Sequence, residues 1–199
     1  MENDLILASG STIRASMLRN AGLKIAIDSP RIDEDAFKAA LLMEDATPHD
    51  IADTLAEAKA RKIAQRYPQE RVLAADQVLA FGKELLSKPE SPEEALAQLQ
   101  NLRGQTHQLL SAAVLYENAE PVWRHVGRAR LTMRQVSDTY LEDYVTRNWP
   151  GIGESVGAYK LEEEGVRLFS RIQGDHFTIL GLPLLELLNF LAIRGSIPA

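Results

Sequence analysis

Cysteine is absent from the 199 residues. That removes disulfides, a thiol nucleophile and any Cys-based zinc site, and it fits a reducing cytoplasm, which is the expected location. Long apolar runs are missing too. None reaches the ~18 residues that a membrane helix needs. The longest, around Ile179 to Ile193, is interrupted by Gly181, Pro183, Glu186 and Asn189. The opening MENDLILASG has no basic region followed by an apolar stretch, so no secretory signal is expected. Basic residues are not in excess: 22 Lys and Arg face 28 Asp and Glu, a net charge of -6. This argues against a broad nucleic-acid surface, which would need a basic stripe, but leaves room for a small anionic ligand held by a few local cations. The histidines, His49, His107, His125 and His176, show no metal-ligand spacing and read as structural or surface residues. There is no internal repeat, low-complexity tract or Gly/Ser linker.

What remains is a globular mix, 45% hydrophobic and 25% charged. A chain of this length buries roughly 70% of its unfolded surface and needs no staples. One domain spanning 1–199 is expected, with room for two lobes. The elements alternate. Leu5-Ile6-Leu7-Ala8 reads as a buried strand, followed by small residues and a helix over Ile13–Asn20 that stops at Gly22. Lys24 to Asp28 alternates like a strand, and Asp33-Glu34-Asp35 reads as a solvated acidic loop. Pro48 opens a helix through Arg66 with Ile51, Leu55, Ala58 and Ile63 at helical spacing. Val72–Ala75 is a second buried strand ending at Asp76, and the chain then runs through Phe81 into a hairpin at Gly82-Lys83. Ser91-Pro92-Glu93-Glu94 is a helix start with Ser as cap. Two strands, His107–Tyr116 and Val122–Arg134, precede a helix capped by Ser137. A strand at Val166–Phe169 and a helix from Pro183 close the chain. The mixture points to an α/β fold with a mixed sheet and flanking helices.

Five features could carry chemistry. Ser9-Gly10-Ser11-Thr12 joins a strand to a helix, and free N–H groups at a helix start attract phosphate. Arg14, one turn in, could add a bidentate contact. Asp76 stands at the end of an apolar run, where a charge is costly unless it is paired or metal-bound. A carboxylate there can accept a proton from water or hold a hard cation. Lys88 leaves a strand end as a point charge before Pro89. Lys59 lies in phase with Leu55 and Ile63, on the inward side of its helix. Clustered carboxylates at Asp33, Glu34 and Asp35 could hold Mg²⁺ or Mn²⁺. For each feature a plain structural role, as cap, strand-end residue, snorkelling lysine or solvated loop, stands beside the chemical one.

Together these pieces resemble the Maf family of nucleotide pyrophosphatases. The resemblance rests on Leu5-Ile6-Leu7-Ala8-Ser9-x-Ser11 with Arg14, Asp33-Glu34, Ala56–Ala60 around Lys59, and Ala75-Asp76-Gln77-Val78. It continues through Gly82, Ser87-Lys88-Pro89, Glu94-Ala95, Gly104-x-Thr106-His107, Gly157-Ala158-Tyr159, Ile172-x-Gly174 and Gly181-Leu182-Pro183-Leu184. It implies an inosine-triphosphatase-like fold with two lobes around a central cleft, and hydrolysis of a nucleoside triphosphate between the α and β phosphates. A divalent cation, Mg²⁺ or Mn²⁺, and a homodimer are implied as well. By position, Asp76 would be the catalytic carboxylate, Ser9, Arg14, Lys59 and Lys88 would bind substrate, and Glu34 and Asp76 would hold the metal.

Specificity would rest on Ile13, Gln77 and Glu162. Asp76-Gln77 with Tyr159-Lys160-Leu161-Glu162 is similar to the branch acting on 7-methyl-GTP; a branch acting on dTTP and UTP carries Asp-Thr at the first position. A base made cationic at N7 would favour a carboxylate such as Glu162. Where the family has Ser-Pro-Arg-Arg, or an aromatic before the two arginines, this chain has Ser11-Thr12-Ile13-Arg14-Ala15. A nucleotide-binding regulator of cell division with little turnover is the rival reading.

Overall fold

The structure, a computed structural model, describes residues 4–197. Strand β1 (Leu5–Leu7), helix α1 (Thr12–Asn20) and strand β2 (Ile25–Ile27) are followed by two helices, α2 (Glu34–Met43) and α3 (Pro48–Ala64). A long strand β3 (Val72–Phe81) turns through Gly82 into β4 (Glu84–Leu86), and α4 (Pro92–Leu102) follows. Two long strands, β5 (Thr106–Glu117) and β6 (Glu120–Met133), lead to α5 (Asp138–Asn148). After 3-10 turns at Gly151–Glu154 and Glu164–Leu168 come β7 (Phe169–Gln173), the short α6 (His176–Ile179) and α7 (Leu184–Ile193).

Among the described residues seven strands form one mixed sheet in the order β2-β1-β3-β5-β6-β7, with β4 paired to β3. β1 runs parallel to both β2 and β3, while the β3–β4 and β6–β7 pairs are antiparallel. The α/β fold with a mixed sheet therefore stands. Composition explains the pattern. β3 reads VLAADQVLAF and is buried at nearly every position, as expected of a strand covered on both faces. The parallel β1–β2 pair needs a crossover, and α1 supplies it. Among the described residues no helix is long and apolar enough to cross a membrane.

The chain divides into two compact units. The first takes the chain up to Asp76, Ser111–Gly127 and everything from Gly181 onward. Its largest fully buried side chains include Leu5, Leu7, Leu18, Ile51, Leu55, Ile63 and Leu73. The second takes Gln77–Leu110 and Arg128–Leu180, and its core gathers Leu79, Leu99, Leu131, Leu141, Tyr144 and Leu168.

Three expectations are corrected. Asp76 does not end a strand: β3 runs unbroken through it, because Gln77 and Val78 carry the extended run on to Phe81. The acidic loop is the start of α2, with the Asp33 carboxylate accepting the Ala36 N–H at 3.0 Å as N-cap. Val166–Phe169 is not a strand. The chain coils in a 3-10 turn there and extends only from Phe169. Gly165, inside that turn, packs so closely on the Lys160 backbone that a Cβ there would clash with it.

Candidate active site

The site is built from the end of β1 outward. Leu7 pairs with Leu73, and the Ala8 N–H donates to the Leu73 carbonyl at 2.7 Å, so Ser9 runs alongside the middle of β3. The chain then turns through Gly10 and Ser11 into α1. The Ser11 hydroxyl caps the helix by accepting the Arg14 N–H at 3.4 Å. The N–H groups ahead of Arg14 have no carbonyl one turn back to meet. The first turn of α1 carries no acidic residue, and Arg14 sits there instead. That first turn therefore has no side-chain anion to compensate the positive end of its dipole.

Asp76 shares a face of β3 with Val72 and Ala74, since side chains alternate along a strand. It is 4% exposed. Its Oδ1 accepts from Lys59 Nζ at 2.6 Å, and its Oδ2 is buried without a hydrogen-bond partner among the described residues. Lys59 comes from α3, where Leu55, Lys59 and Ile63 form one buried stripe. The register of that helix is fixed at its start: the Thr47 hydroxyl accepts the Asp50 N–H, the Asp50 carboxylate accepts the Thr47 N–H, and Pro48 stands at the first helical position. The same ammonium lies 2.9 Å from Glu34 Oε1, on a side chain that is 44% exposed. One cation thus bridges a buried carboxylate and a half-open one.

Arg14 reaches back over β3. Its Nη1 donates to the Ala75 carbonyl at 2.8 Å and to Ser9 Oγ at 3.3 Å, and its Nε donates to the Gly181 carbonyl at 2.8 Å. Burial lowers the guanidinium's pKa, while the charges of Asp76 and Glu34 raise it. Among the described residues three of the five donors are thereby used, and the two on Nη2 are left. The expected bidentate fork is not available: Nε and Nη1 already serve backbone carbonyls, so an anion can meet one nitrogen only. Ser9 is itself 7% exposed and also accepts the Ser11 N–H at 3.2 Å.

Ser9, Arg14, Glu34, Lys59 and Asp76 therefore gather in the first unit, and Ile13 is half-buried beside Arg14 in the opening turn of α1. Lys88, Gln77 and Glu162 belong to the second unit. Lys88 is exposed two residues beyond β4. The Gln77 amide donates to the carbonyls of Thr178 and Ile179 at 3.2 and 3.0 Å. Glu162 is exposed and makes no ion pair or hydrogen bond through its side chain among the described residues. Its neighbour Glu164 is different. Hydrogen bonds from Arg147 and Asn148 pull its pKa down to about 2, so it is committed to structure.

Sequence reasoning missed Gly181 as a contact residue. Its positive φ of 97° requires glycine, and its carbonyl holds Arg14. The signal was the Gly181-Leu182-Pro183-Leu184 run, which entered only as part of the family resemblance and as a break in an apolar stretch. His107, read as structural, is buried. Its Nε2 lies 2.7 Å from the Tyr159 hydroxyl, and burial lowers its pKa to about 4.

The sequence matches the description "Maf-like protein" over residues 4–193. The chain belongs to the Maf-like protein family. A nucleoside triphosphate pyrophosphatase of Ruegeria pomeroyi is 65% identical to this Maf-like chain over 97% of each. A 7-methyl-GTP pyrophosphatase of Rhizobium meliloti is 44% identical over 98% of each. Among solved structures, a nucleoside-triphosphatase titled dITP/XTP pyrophosphatase, from Mycobacterium abscessus, matches at 16% identity with a TM-score of 0.39, over 66% of this chain and 75% of that one.

Proposed function

We propose that this Maf-like chain hydrolyses a nucleoside triphosphate between its α and β phosphates, releasing a nucleoside monophosphate and pyrophosphate. The observation that carries the reading is the state of Asp76: a buried carboxylate with one oxygen on Lys59 and the other without a hydrogen-bond partner among the described residues. A buried acceptor left unmade is costly, and such groups call for an explanation. Here the explanation is a water molecule. Asp76 Oδ2 takes its proton, the water oxygen bonds to the α phosphorus, and the bond from that phosphorus to the bridging oxygen breaks. Pyrophosphate carries away the electron pair.

The remaining residues bind and orient. The α1 N-terminus, the Ser9 hydroxyl and Arg14 Nη2 donate to phosphate oxygens, which suits a reaction governed by positioning and electrostatic stabilisation. Lys59 holds the Asp76 carboxylate in place through Oδ1. Lys88, Ile13, Gln77 and Glu162 are assigned by resemblance to the family: Lys88 to a phosphate, the others to the base. Names of relatives at lower identity and the Asp76-Gln77 pair support 7-methyl-GTP as a substrate; names of the more similar relatives support a nucleoside triphosphate more broadly.

No group of three or more potential metal ligands is assembled among the described residues. Two carboxylates around one ammonium, one of them with an unpartnered oxygen, nonetheless fit a cation that draws its other ligands from water and phosphate. Glu34 and Asp76 would hold Mg²⁺ or Mn²⁺, and the ion would neutralise phosphate charge and acidify water bound to it.

Asp76→Asn tests the reading. It keeps the shape and removes the base, so pyrophosphate release should fall by about 100-fold or more. Nucleotide binding, followed by calorimetry, should survive. Full turnover in that variant would remove Asp76 from the chemistry.

A further inference from the structure

We infer that Gly181 is a positioning residue, which acts through Arg14 and restricts that arginine to a single-nitrogen contact with substrate. The inference rests on the reading above that Arg14 binds the triphosphate.

The geometry has two parts. The Gly181 carbonyl takes the Nε donor at 2.8 Å, which removes one arm of the fork that arginine usually offers to phosphate. The missing side chain is the second part. A Cβ on Gly181 would stand 3.1 Å from Nη2 and 3.2 Å from Nε of Arg14. That is tighter than ordinary packing, so the guanidinium would have to give by a few tenths of an ångström. It has little freedom to do so, because Ala75 and Ser9 hold Nη1 from the other side. The bare α-carbon therefore lies against the edge that carries the two uncommitted donors. The φ of 97° adds a separate requirement for glycine.

These two requirements can be separated. Gly22 in the same unit has a similar φ of 85° but nothing within 4 Å of its would-be Cβ. Gly22→Ala therefore carries the backbone strain without the arginine contact.

The experiment is a double-mutant cycle on pyrophosphate release with Mg²⁺, using whichever of 7-methyl-GTP, GTP, dTTP and UTP is turned over fastest. Arg14→Lys should lower kcat/KM by about 10- to 100-fold, the worth of a charged hydrogen bond. Gly181→Ala should cause a loss of similar size in the parent, mostly in KM, and about twofold or less in the Arg14→Lys background. Gly22→Ala should leave kcat/KM near the parent value. Should Gly181→Ala fail to fold, Arg14→Ala/Gly181→Ala should recover a cooperative melt by removing the crowded side chain. Equal losses from Gly181→Ala in both backgrounds, a Gly181→Ala enzyme like the parent, or a double variant that still fails to fold while Gly22→Ala folds would each overturn the role of Gly181 and leave the reading of Arg14 standing. An Arg14→Lys enzyme with full activity would overturn both.

Discussion

Replacing Lys59 by Met leaves the aliphatic stem in its buried stripe and removes only the ammonium. Its partner Asp76 has a side chain 6% exposed, and the contact is 2.6 Å. Oδ2 already lacks a partner, so the variant would leave a buried carboxylate with neither oxygen satisfied. Removing one member of a buried pair costs about 3–5 kcal/mol, chiefly the penalty on the charge left behind. The Glu34 contact adds little, because its carboxylate is 44% exposed and can return to water. In a chain of this size each kcal/mol moves the melting temperature by about 2–4 °C, so a fall of roughly 6–20 °C is expected. The assay is urea and thermal denaturation of a cycle containing Lys59→Met, Asp76→Asn and the double variant. The double variant removes the stranded charge and should be at least about 2 kcal/mol more stable than the sum of the single losses allows. A Lys59→Met protein within about 1 kcal/mol of the parent, or strict additivity, would refute the idea that this pair is a dry, mutually dependent unit.

Two further outcomes are expected. His107 is buried against Tyr159 and Phe169, and its pKa falls from 6.5 to about 4. The unfolded chain therefore binds a proton between those values that the folded chain refuses. The stability gained from keeping His107 neutral is complete above about pH 6.5 and is lost as pH falls to about 4, roughly 3 kcal/mol in all. Denaturation midpoints of His107→Gln should fall less steeply over that window; parallel curves would show that His107 does not titrate on unfolding. Glu162→Gln should narrow any preference for 7-methyl-GTP over GTP by about 5- to 10-fold, the loss of one charge interaction in a partly aqueous setting. An unchanged ratio of kcat/KM values would take Glu162 out of base recognition.

Much of this architecture was legible residue by residue. The Leu5–Ala8 run, the Ser91-Pro92 helix start, the Gly82-Lys83 hairpin and the Ser137 cap all appear where local chemistry put them. Each is settled within a few residues, by a cap, a turn glycine or an apolar period. The helical phase of Lys59 with Leu55 and Ile63 likewise told which way its side chain must face. The errors occurred where the deciding contact was distant or the local signal ambiguous. The EDAFKAALLM helix was hidden behind an acidic stretch that also suits a loop, and none of its residues is buried. The apolar Val166–Phe169 run suits a strand locally, yet the chain coils there, with Gly165 packed against the Lys160 backbone.

The amino-acid order alone determined the alternation of elements, the family to which the chain belongs, and the cationic and acidic residues available to a polyanion. Only the tertiary structure decided how those charges are spent. Lys59 is shared between Asp76 and Glu34, Arg14 gives Nε and Nη1 to backbone carbonyls, and Gly181 limits what remains. Arg14 lies 61 residues from Ala75 and 167 from Gly181, so no local pattern could assign its donors. Hydrogen-bond capacity is finite and is claimed by whichever acceptors the fold brings within reach.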